Sequence, residues 1–223
     1  DGRYGCGKMA KLNLAAVILA AGTSSRMGKN KLALPWGEDT VLEATMAMAE
    51  RVDFDQRILV LGFEQEYWWG RWQTQLEQNQ FPWQIVINKD YQQGQGTSVA
   101  KAAKLLQSIP QCQGAMFFLG DQPLILPQTI QQLQQSWQQQ TECILVPTYQ
   151  GKRGNPVLFP AWAFAEMAQL GADEGARGLL TRYAEQVHFK AVDDEGILLD
   201  LDTPAAYEAA LTVWQKRDNE KMK

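Results

Sequence analysis

The chain of 223 residues is poor in the side chains that many enzymes use as nucleophiles, general bases or metal ligands. It has one histidine, His188, and three cysteines, Cys6, Cys112 and Cys143, which form no Cys-x-x-Cys pair. Three widely spaced cysteines and a single histidine argue against a structural zinc site and against a disulfide framework. This cysteine usage predicts a reducing, cytoplasmic location.

An excess of positive charge and a long apolar segment are also missing. The chain has 21 Lys and Arg against 25 Asp and Glu, a net charge of −4 at pH 7, which argues against a nucleic-acid-binding surface. The apolar run at 14–21 is far too short to span a bilayer, so no membrane span is expected. Any recognition of phosphate must therefore be local, through a few basic side chains and backbone amides.

Two common nucleotide-binding fingerprints are absent as well. No Gly-Lys-Ser/Thr occurs in the chain, which excludes a Walker A loop. The first glycine-containing loop has only Gly22 and Gly28, so the Gly-x-Gly-x-x-Gly pattern of dinucleotide-binding enzymes is not formed. A nicotinamide-dependent oxidoreductase is therefore disfavoured.

Short apolar runs alternate with helix-like stretches along almost the whole chain. Strands are predicted at 14–20, 57–62, 84–88, 115–119, 143–147, 187–192 and 197–201. Helices are predicted at 41–51, 64–78, 97–106, 127–139, 161–170, 176–184 and 204–216. This alternation favours a three-layer α/β fold with a mostly parallel, doubly wound sheet, in one domain spanning 9–223. Residues 1–8 fit no element and are expected to be an expression remnant or a frayed end.

The loop after the first predicted strand has the composition of a phosphate cradle. Ala20, Ala21 and Gly22 are small enough for the backbone to approach a ligand and expose its N–H groups. Arg26 and Lys31 add two cations within reach of the same place. A flexible surface loop with incidental basic residues is the alternative. The position after the first strand favours the binding loop, because such sheets bind ligands beyond the carboxyl ends of their strands.

Two apolar runs each end in an aspartate followed by a proline two residues later. Asp121 follows the predicted strand 115–119, and Asp202 follows the predicted strand 197–201. Mg²⁺ prefers one or two carboxylates, with water and phosphate oxygens at its other positions, so this pair predicts a magnesium site. Turn chemistry at Asp121 and helix capping at Asp202 are the alternatives. Asp200, on the same face of the predicted strand as Asp202, is a further candidate ligand.

Several segments, in order along the chain, together resemble molybdenum cofactor cytidylyltransferases, a branch of the MobA-like NTP transferases with a GT-A, Rossmann-like fold. They are 19–28 (LAAGTSSRMG), 31–32 (KL), 88–99 (NKDYQQGQGTSV), 120–123 (GDQP), 154–156 (GNP) and 199–204 (LDLDTP). The resemblance runs from about residue 14 to residue 210. It implies transfer of CMP from CTP to the terminal phosphate of molybdopterin that carries molybdenum, with Mg²⁺ as cofactor and release of pyrophosphate. A molybdoenzyme that receives the product is the implied protein partner.

The resemblance also implies roles for individual residues. It places the nucleotide against Leu19, Ala20, Ala21 and Gly22, its phosphates against Arg26 and Lys31, and its base and ribose near Thr97 and Ser98. It makes Asp121 and Asp202 ligands of the same metal ion. It assigns catalysis to Arg26, Lys31 and Asp121. It places the acceptor against Gly154, Asn155 and Pro156.

Two positions bear on which base is used. Guanylyl-transferring relatives usually have Leu-Ala-Gly-Gly where this chain has Leu-Ala-Ala-Gly, and the methyl group of Ala21 is expected to disfavour a purine. Well-known cytidylyl-transferring members begin with Thr at the position of Leu19. The family also contains members proposed to help xanthine dehydrogenase-type enzymes mature. The alternatives are thus a guanylyltransferase, a sugar- or polyol-phosphate nucleotidyltransferase, and a non-catalytic maturation factor that binds the cofactor.

Overall fold

A computed structural model of the chain describes residues 12–22, 30–171 and 175–221. The strands of this part are β1 (Leu14–Ala20), β2 (Pro35–Trp36), β3 (Asp39–Thr40), β4 (Gln56–Leu61), β5 (Gln84–Ile87), β6 (Gly114–Leu119), β7 (Ile144–Tyr149), β8 (Lys152–Arg153), β9 (Val157–Pro160) and β10 (Val187–Ala191). The helices are α1 (Val41–Glu50), α2 (Gln65–Glu77), α3 (Gln95–Ser108), α4 (Pro127–Trp137), α5 (Phe164–Met167), α6 (Ala176–Arg182) and α7 (Pro204–Lys221). The expectation for residues 1–8 lies outside the described residues.

The main sheet has the strand order β10-β7-β9-β6-β1-β4-β5, with β8 paired to β7 beside this path. Strands β1, β4, β5 and β6 are parallel, whereas β9 is antiparallel to both β6 and β7. Helices cover both faces of the sheet through two apolar clusters, one with side chains of α1, α2 and α4 and the other with side chains of α3, α5 and α6. The predicted three-layer α/β fold with a mostly parallel sheet is confirmed.

Local sequence signals explain where several elements begin. Strand β1 is apolar throughout because both of its faces are covered by helices. Helix α1 begins with a capping box, in which the Thr40 side chain accepts from the Glu43 backbone and Glu43 in turn accepts from the Thr40 backbone. Helix α4 has Pro127 in its first turn, where no backbone N–H is needed.

The prediction of a strand at 197–201 is wrong. Residues Glu195–Leu198 form a 3-10 turn instead, which Asp194 caps by accepting from the backbone N–H of Gly196 at 2.9 Å. Ile197 is buried in this turn against the core, so its apolar character reflects burial rather than strand pairing. Among the described residues, no helix is long and apolar enough to cross a membrane.

The sequence analysis missed β9 and overestimated one helix. Strand β9 is short, lies just after Pro156 and ends at Pro160, a composition that argues against a strand in the middle of a sheet. The predicted helix at 161–170 is a 3-10 turn over Ala161–Ala163 followed by the four residues of α5. The remaining predicted strands and helices are present, with ends shifted by up to five residues.

Candidate active site

Asp121 lies at the carboxyl end of β6, directly beside the end of β1. The backbone N–H of Gly120 donates to the carbonyl oxygen of Leu19 at 3.0 Å, and the Thr45 hydroxyl donates to the carbonyl oxygen of Gly120 at 3.0 Å. A Cβ on Gly120 would lie only 3.2 Å from that Leu19 oxygen and 3.3 Å from the Cβ of Ala20. Glycine at this position therefore lets the β6 loop pack against β1, and Asp121 is held there at 5% exposure.

Lys31 joins Asp121 to Asp202. Its Nζ lies 2.5 Å from Asp121 Oδ2 and 2.6 Å from Asp202 Oδ1, although the two aspartates are far apart in sequence. Burial by itself would lower the pKa of Lys31, but the two carboxylates outweigh burial and raise the pKa above its ordinary value. The ammonium group is therefore fully charged at neutral pH, and both carboxylates point at one cationic position.

Asp202 reaches this position from a loop rather than from a strand. It follows the 3-10 turn Glu195–Leu198 and precedes α7. Helix α7 has its own capping group in Thr203, whose hydroxyl accepts from the backbone N–H of Ala206 at 3.2 Å. The alternative of Asp202 as a helix cap thus loses its main support, because the neighbouring residue makes that hydrogen bond.

Asp200 has a different partner. Its Oδ1 accepts a hydrogen bond from Nε2 of Gln122 at 2.5 Å, and the same Gln122 nitrogen lies 3.3 Å from the carbonyl oxygen of Ile197. Although part of the residue is exposed, burial of the carboxylate and the nearby charges of Asp121 and Asp202 raise the pKa of Asp200. Three carboxylates therefore lie near one another, and two of them share the Lys31 ammonium.

Two carboxylates directed at one cation suit Mg²⁺, whose remaining positions are usually filled by water and phosphate oxygens. Within residues 12–22, 30–171 and 175–221, no group of three or more histidine, cysteine, aspartate or glutamate side chains is arranged to hold a metal. A divalent ion at Asp121 and Asp202 would thus need further oxygen ligands, from water or from the phosphates of a bound nucleotide. The donor set fits such an ion.

Thr97 and Ser98 lie at the start of α3, beyond the carboxyl end of β5. The buried side chain of Asn88 donates from Nδ2 to both hydroxyl oxygens at 2.9 Å and accepts from the backbone N–H of Asp90 at 3.0 Å. The Thr97 hydroxyl donates to the carbonyl oxygen of Gly94 at 2.7 Å. Asn88 was not predicted as a site residue. It holds these two hydroxyl groups at the carboxyl edge of the sheet.

Ala21 directly follows β1, and its methyl group is buried, whereas Gly22 is exposed. A Cβ on Gly62, which follows β4, would lie 2.9 Å from the Cβ of Ala21 and 2.8 Å from the Cβ of Tyr91. Alanine at position 21 therefore depends on glycine at position 62. The sequence analysis missed both Gly62 and Tyr91, because neither carries a motif of its own.

The segment 154–156 is tied to the carboxylate cluster through one carbonyl group. The backbone N–H of Asn155 donates to the carbonyl oxygen of Ile197 at 3.0 Å, and Gln122 approaches that same oxygen. The backbone N–H of Gly154 donates to the carbonyl oxygen of Pro147 at 3.0 Å, and the Asn155–Pro156 peptide bond is cis. The segment predicted to bind the acceptor therefore lies close to Gln122, the residue after Asp121.

The predicted site residues not yet placed are Leu19, Ala20 and Arg26. Leu19 and Ala20 end β1 at this edge of the sheet, as expected from the strand prediction. Arg26, predicted to bind phosphate, lies in the stretch 23–29, which is outside the described residues. Lys31, Asp121 and Asp202 come together in space, and their chemical roles remain predictions.

Comparison with known proteins gives the family. Residues 16–187 match the model of the MobA-like NTP transferase domain. The chain belongs to this family.

Two bacterial relatives have the same sequence identity to this chain. The purine catabolism protein PucB of Bacillus subtilis is 32% identical over 203 residues, which cover 87% of this chain and 94% of PucB. The molybdenum cofactor cytidylyltransferase of Escherichia coli is 32% identical over 192 residues, which cover 84% of this chain and 90% of the relative. Both relatives support the family, and their equal identity does not decide which acceptor the chain uses.

Solved structures show the same architecture. Rv0371c of Mycobacterium tuberculosis is 30% identical to this family member and has a TM-score of 0.73, with 90% of this chain and 98% of that chain covered. A further structure of Rv0371c, in complex with manganese, is 28% identical over the same shares, with a TM-score of 0.68. The fold of Rv0371c is thus shared over 90% of this chain.

Proposed function

We propose that the protein is a Mg²⁺-dependent nucleotidyltransferase that moves CMP from CTP to the terminal phosphate of molybdopterin carrying molybdenum, with release of pyrophosphate. The observation that carries this proposal is the placement of Lys31 between Asp121 and Asp202, at the edge of the sheet where β1 ends. Charge-bearing groups of both signs at this edge match the needs of phosphoryl chemistry.

The reaction needs one bond to form and one to break. An oxygen of the acceptor phosphate attacks the α-phosphorus of the nucleotide, and the bond between the α-phosphorus and the oxygen of the leaving pyrophosphate breaks. Because a phosphate monoester is already largely ionised near neutral pH, the attacking oxygen needs no general base. A protein whose single histidine, His188, lies in the edge strand β10 can therefore perform it.

The residues of the site divide the work by position and charge. The Lys31 ammonium neutralises phosphate charge, and the carboxylates of Asp121 and Asp202 fix the ammonium before the nucleotide arrives. Magnesium bound by these carboxylates would supply positive charge against the transferred phosphate and the leaving pyrophosphate. Rv0371c, which is 28% identical to this chain, has a structure in complex with manganese, and this supports the proposal of a divalent ion.

The choice of CTP rests on Ala21 and on one relative. Ala21, whose methyl group is buried near Gly62, stands where guanylyl-transferring relatives usually have glycine. The E. coli relative is a cytidylyltransferase by name. Both favour a pyrimidine base over a purine.

The equal identity to PucB, a relative named for purine catabolism rather than for nucleotidyl transfer, leaves a second candidate function open. In this case the chain binds the molybdenum-loaded acceptor and delivers it to a client molybdoenzyme, without nucleotidyl transfer. Segment 154–156 would serve both functions, whereas the Lys31–Asp121–Asp202 arrangement is needed only for transfer.

Pyrophosphate release separates these possibilities. Purified protein would be incubated with Mg²⁺, molybdenum-loaded molybdopterin and each NTP separately. We expect release with CTP and loss of it, by about a thousandfold or more in kcat, in Asp121→Ala. Release mainly with GTP would overturn the base assignment. Tight binding of the acceptor without release from any NTP would favour the delivery role.

A further inference from the structure

The position of Lys31 is supported by a side chain that belongs to none of the sequence motifs. Asn30 directly precedes it and is buried at 9% exposure. Its Oδ1 accepts from the backbone N–H of Leu32 at 3.1 Å, which caps the 3-10 turn Lys31–Ala33. Its Nδ2 donates to Glu64 Oε2 at 2.9 Å, across 34 positions of sequence. The turn that carries the Lys31 ammonium is thereby connected to the start of α2.

Glu64 has an unusual backbone for a glutamate. Its φ and ψ are 51° and 36°, in the left-handed region that favours glycine or asparagine. It occupies the position before α2, yet its side chain makes no capping hydrogen bond to that helix. A glycine would therefore adopt this backbone conformation at lower cost without loss of a capping hydrogen bond. Its carboxylate is directed to Asn30 instead. Strained backbone conformations of this kind persist where neighbouring structure requires them, often at functional sites.

We propose that Asn30 and Glu64 are positioning residues for Lys31. The Glu64 carboxylate orients the Asn30 amide, the Asn30 oxygen fixes the 3-10 turn, and the turn places the Lys31 ammonium 2.5 Å and 2.6 Å from its two aspartates. Because both Asn30 contacts use one amide, turning it would break both at once. This inference rests on the proposed function of Lys31 in phosphate chemistry.

Glu64→Gly separates positioning from stability. It removes the carboxylate and also the left-handed strain, so the lost hydrogen bond and the relieved strain oppose each other and its Tm is expected to stay close to that of the unmodified protein. Its kcat/KM for the NTP is expected to fall by roughly tenfold, since a charge-assisted hydrogen bond to the turn is lost. Glu64→Gln keeps an oxygen that accepts from Asn30, and we expect it to retain at least about half of the activity. Unchanged kcat/KM in Glu64→Gly would overturn the proposal.

An exchange of the two side chains gives a second, independent test. Asn30→Asp alone places a carboxylate against Glu64 and is expected to lower kcat/KM by on the order of tenfold. Asn30→Asp combined with Glu64→Gln restores one donor and one acceptor, because the new amide can donate to the new carboxylate. We expect recovery to within about threefold of the unmodified protein. Additive losses in the double variant would show that the contact does not act as a unit.

One measurement does not depend on catalysis. NMR of protein with labelled lysine side chains reports the environment of the Lys31 ammonium, and Lys31→Arg identifies its signal by removing it. The signal is expected to move toward that of a free lysine in Glu64→Gly and to stay in Glu64→Gln. If the unmodified protein released no pyrophosphate with any NTP, this shift would still establish positioning, and only the proposed function would fail. An unmoved signal in Glu64→Gly would overturn positioning itself.

Discussion

Gly154 lies so close to Ile197 that a Cβ added to it would be 2.5 Å from the Ile197 carbonyl oxygen. Two side-chain carbons of the same isoleucine would lie at 2.7 and 2.8 Å. The glycine therefore allows the predicted acceptor segment to pack on the turn that leads to Asp200 and Asp202.

Gly154→Ala is expected to push these two segments apart. We expect a loss of about 1–3 kcal/mol in the free energy of unfolding, as for other overpacked sites, and a raised KM for the acceptor with little change in the KM for the NTP. Urea unfolding and steady-state kinetics measure both. Gly70→Ala is the matched control, because nothing lies within 4 Å of its added Cβ and alanine in helix α2 stabilises by about 0.5–1 kcal/mol. Equal stability of the two variants would contradict the close approach.

Asp202 and Asp200 should differ in their effect on catalysis. Asp202 shares the ammonium of Lys31, whereas Asp200 accepts from Gln122. We expect Asp202→Asn to lower kcat by on the order of a hundredfold and Asp200→Asn by less than about tenfold, because an asparagine oxygen still accepts from Gln122. Pyrophosphate release at saturating substrate gives the comparison. The reverse order of effects would make Asp200 the second metal ligand.

Lys31 should compete with divalent ions in the absence of nucleotide. Its ammonium lies 2.5 and 2.6 Å from the carboxylates that a metal would use. Lys31→Gln is therefore expected to tighten Mn²⁺ binding by on the order of tenfold while abolishing turnover, since the two charges lose their internal counter-ion. Electron paramagnetic resonance titration of Mn²⁺ measures the affinity. Lys101→Gln is the control, because its ammonium pairs with exposed Asp90 at 3.4 Å and its removal should leave Mn²⁺ binding unchanged.

The pH dependence of stability should contain a contribution from Glu43. Burial alone would raise its pKa, but hydrogen bonds from Arg71, Trp72 and Thr40 outweigh burial and hold the pKa below its ordinary value of 4.5. A carboxylate with a lowered folded-state pKa contributes stability above its unfolded-state pKa and loses it as pH falls through the folded-state pKa.

Glu43→Gln is therefore expected to lose about 1–3 kcal/mol of unfolding free energy at pH 7. The difference from the unmodified protein should shrink as pH falls below 4.5, the ordinary value. Denaturant unfolding across this range measures it. Glu77→Gln is the control and should show little change at any pH, because the carboxylate of Glu77 is exposed and accepts from Gln73 at 2.8 Å. A difference that stays constant with pH would remove the role of the charge.

The sequence predicted the parts of the site that local pattern determines. The apolar run of β1 and the small residues after it are visible because a buried parallel strand has few other compositions. Asp121 was found for the same reason, at the end of β6. Asp202 was identified as a candidate metal ligand although the strand predicted before it is not formed. Its proximity to Lys31 comes from a loop, and the apolar run before it is buried in a 3-10 turn.

Contacts between distant segments could not be predicted. Asn30 and Glu64 carry ordinary polar side chains with no spacing that signals a pair, and their hydrogen bond depends on how the start of α2 is placed against the 3-10 turn Lys31–Ala33. The dependence of Ala21 on Gly62 is likewise a distance between two loops. Strand β9 was missed because its pairing partners, rather than its prolines, decide its conformation.

The position of β1 between β4 and β6 has a consequence for synthesis of the chain. Its neighbour β4 ends at Leu61, whereas its other neighbour β6 begins only at Gly114. At translation rates of about 5–20 residues per second, one flank of this entirely apolar strand stays without its partner for seconds. An unpaired apolar strand edge readily joins strands of other chains. Until the segment from Gly114 onward has been made, this edge of β1 is thus open to pairing with another chain.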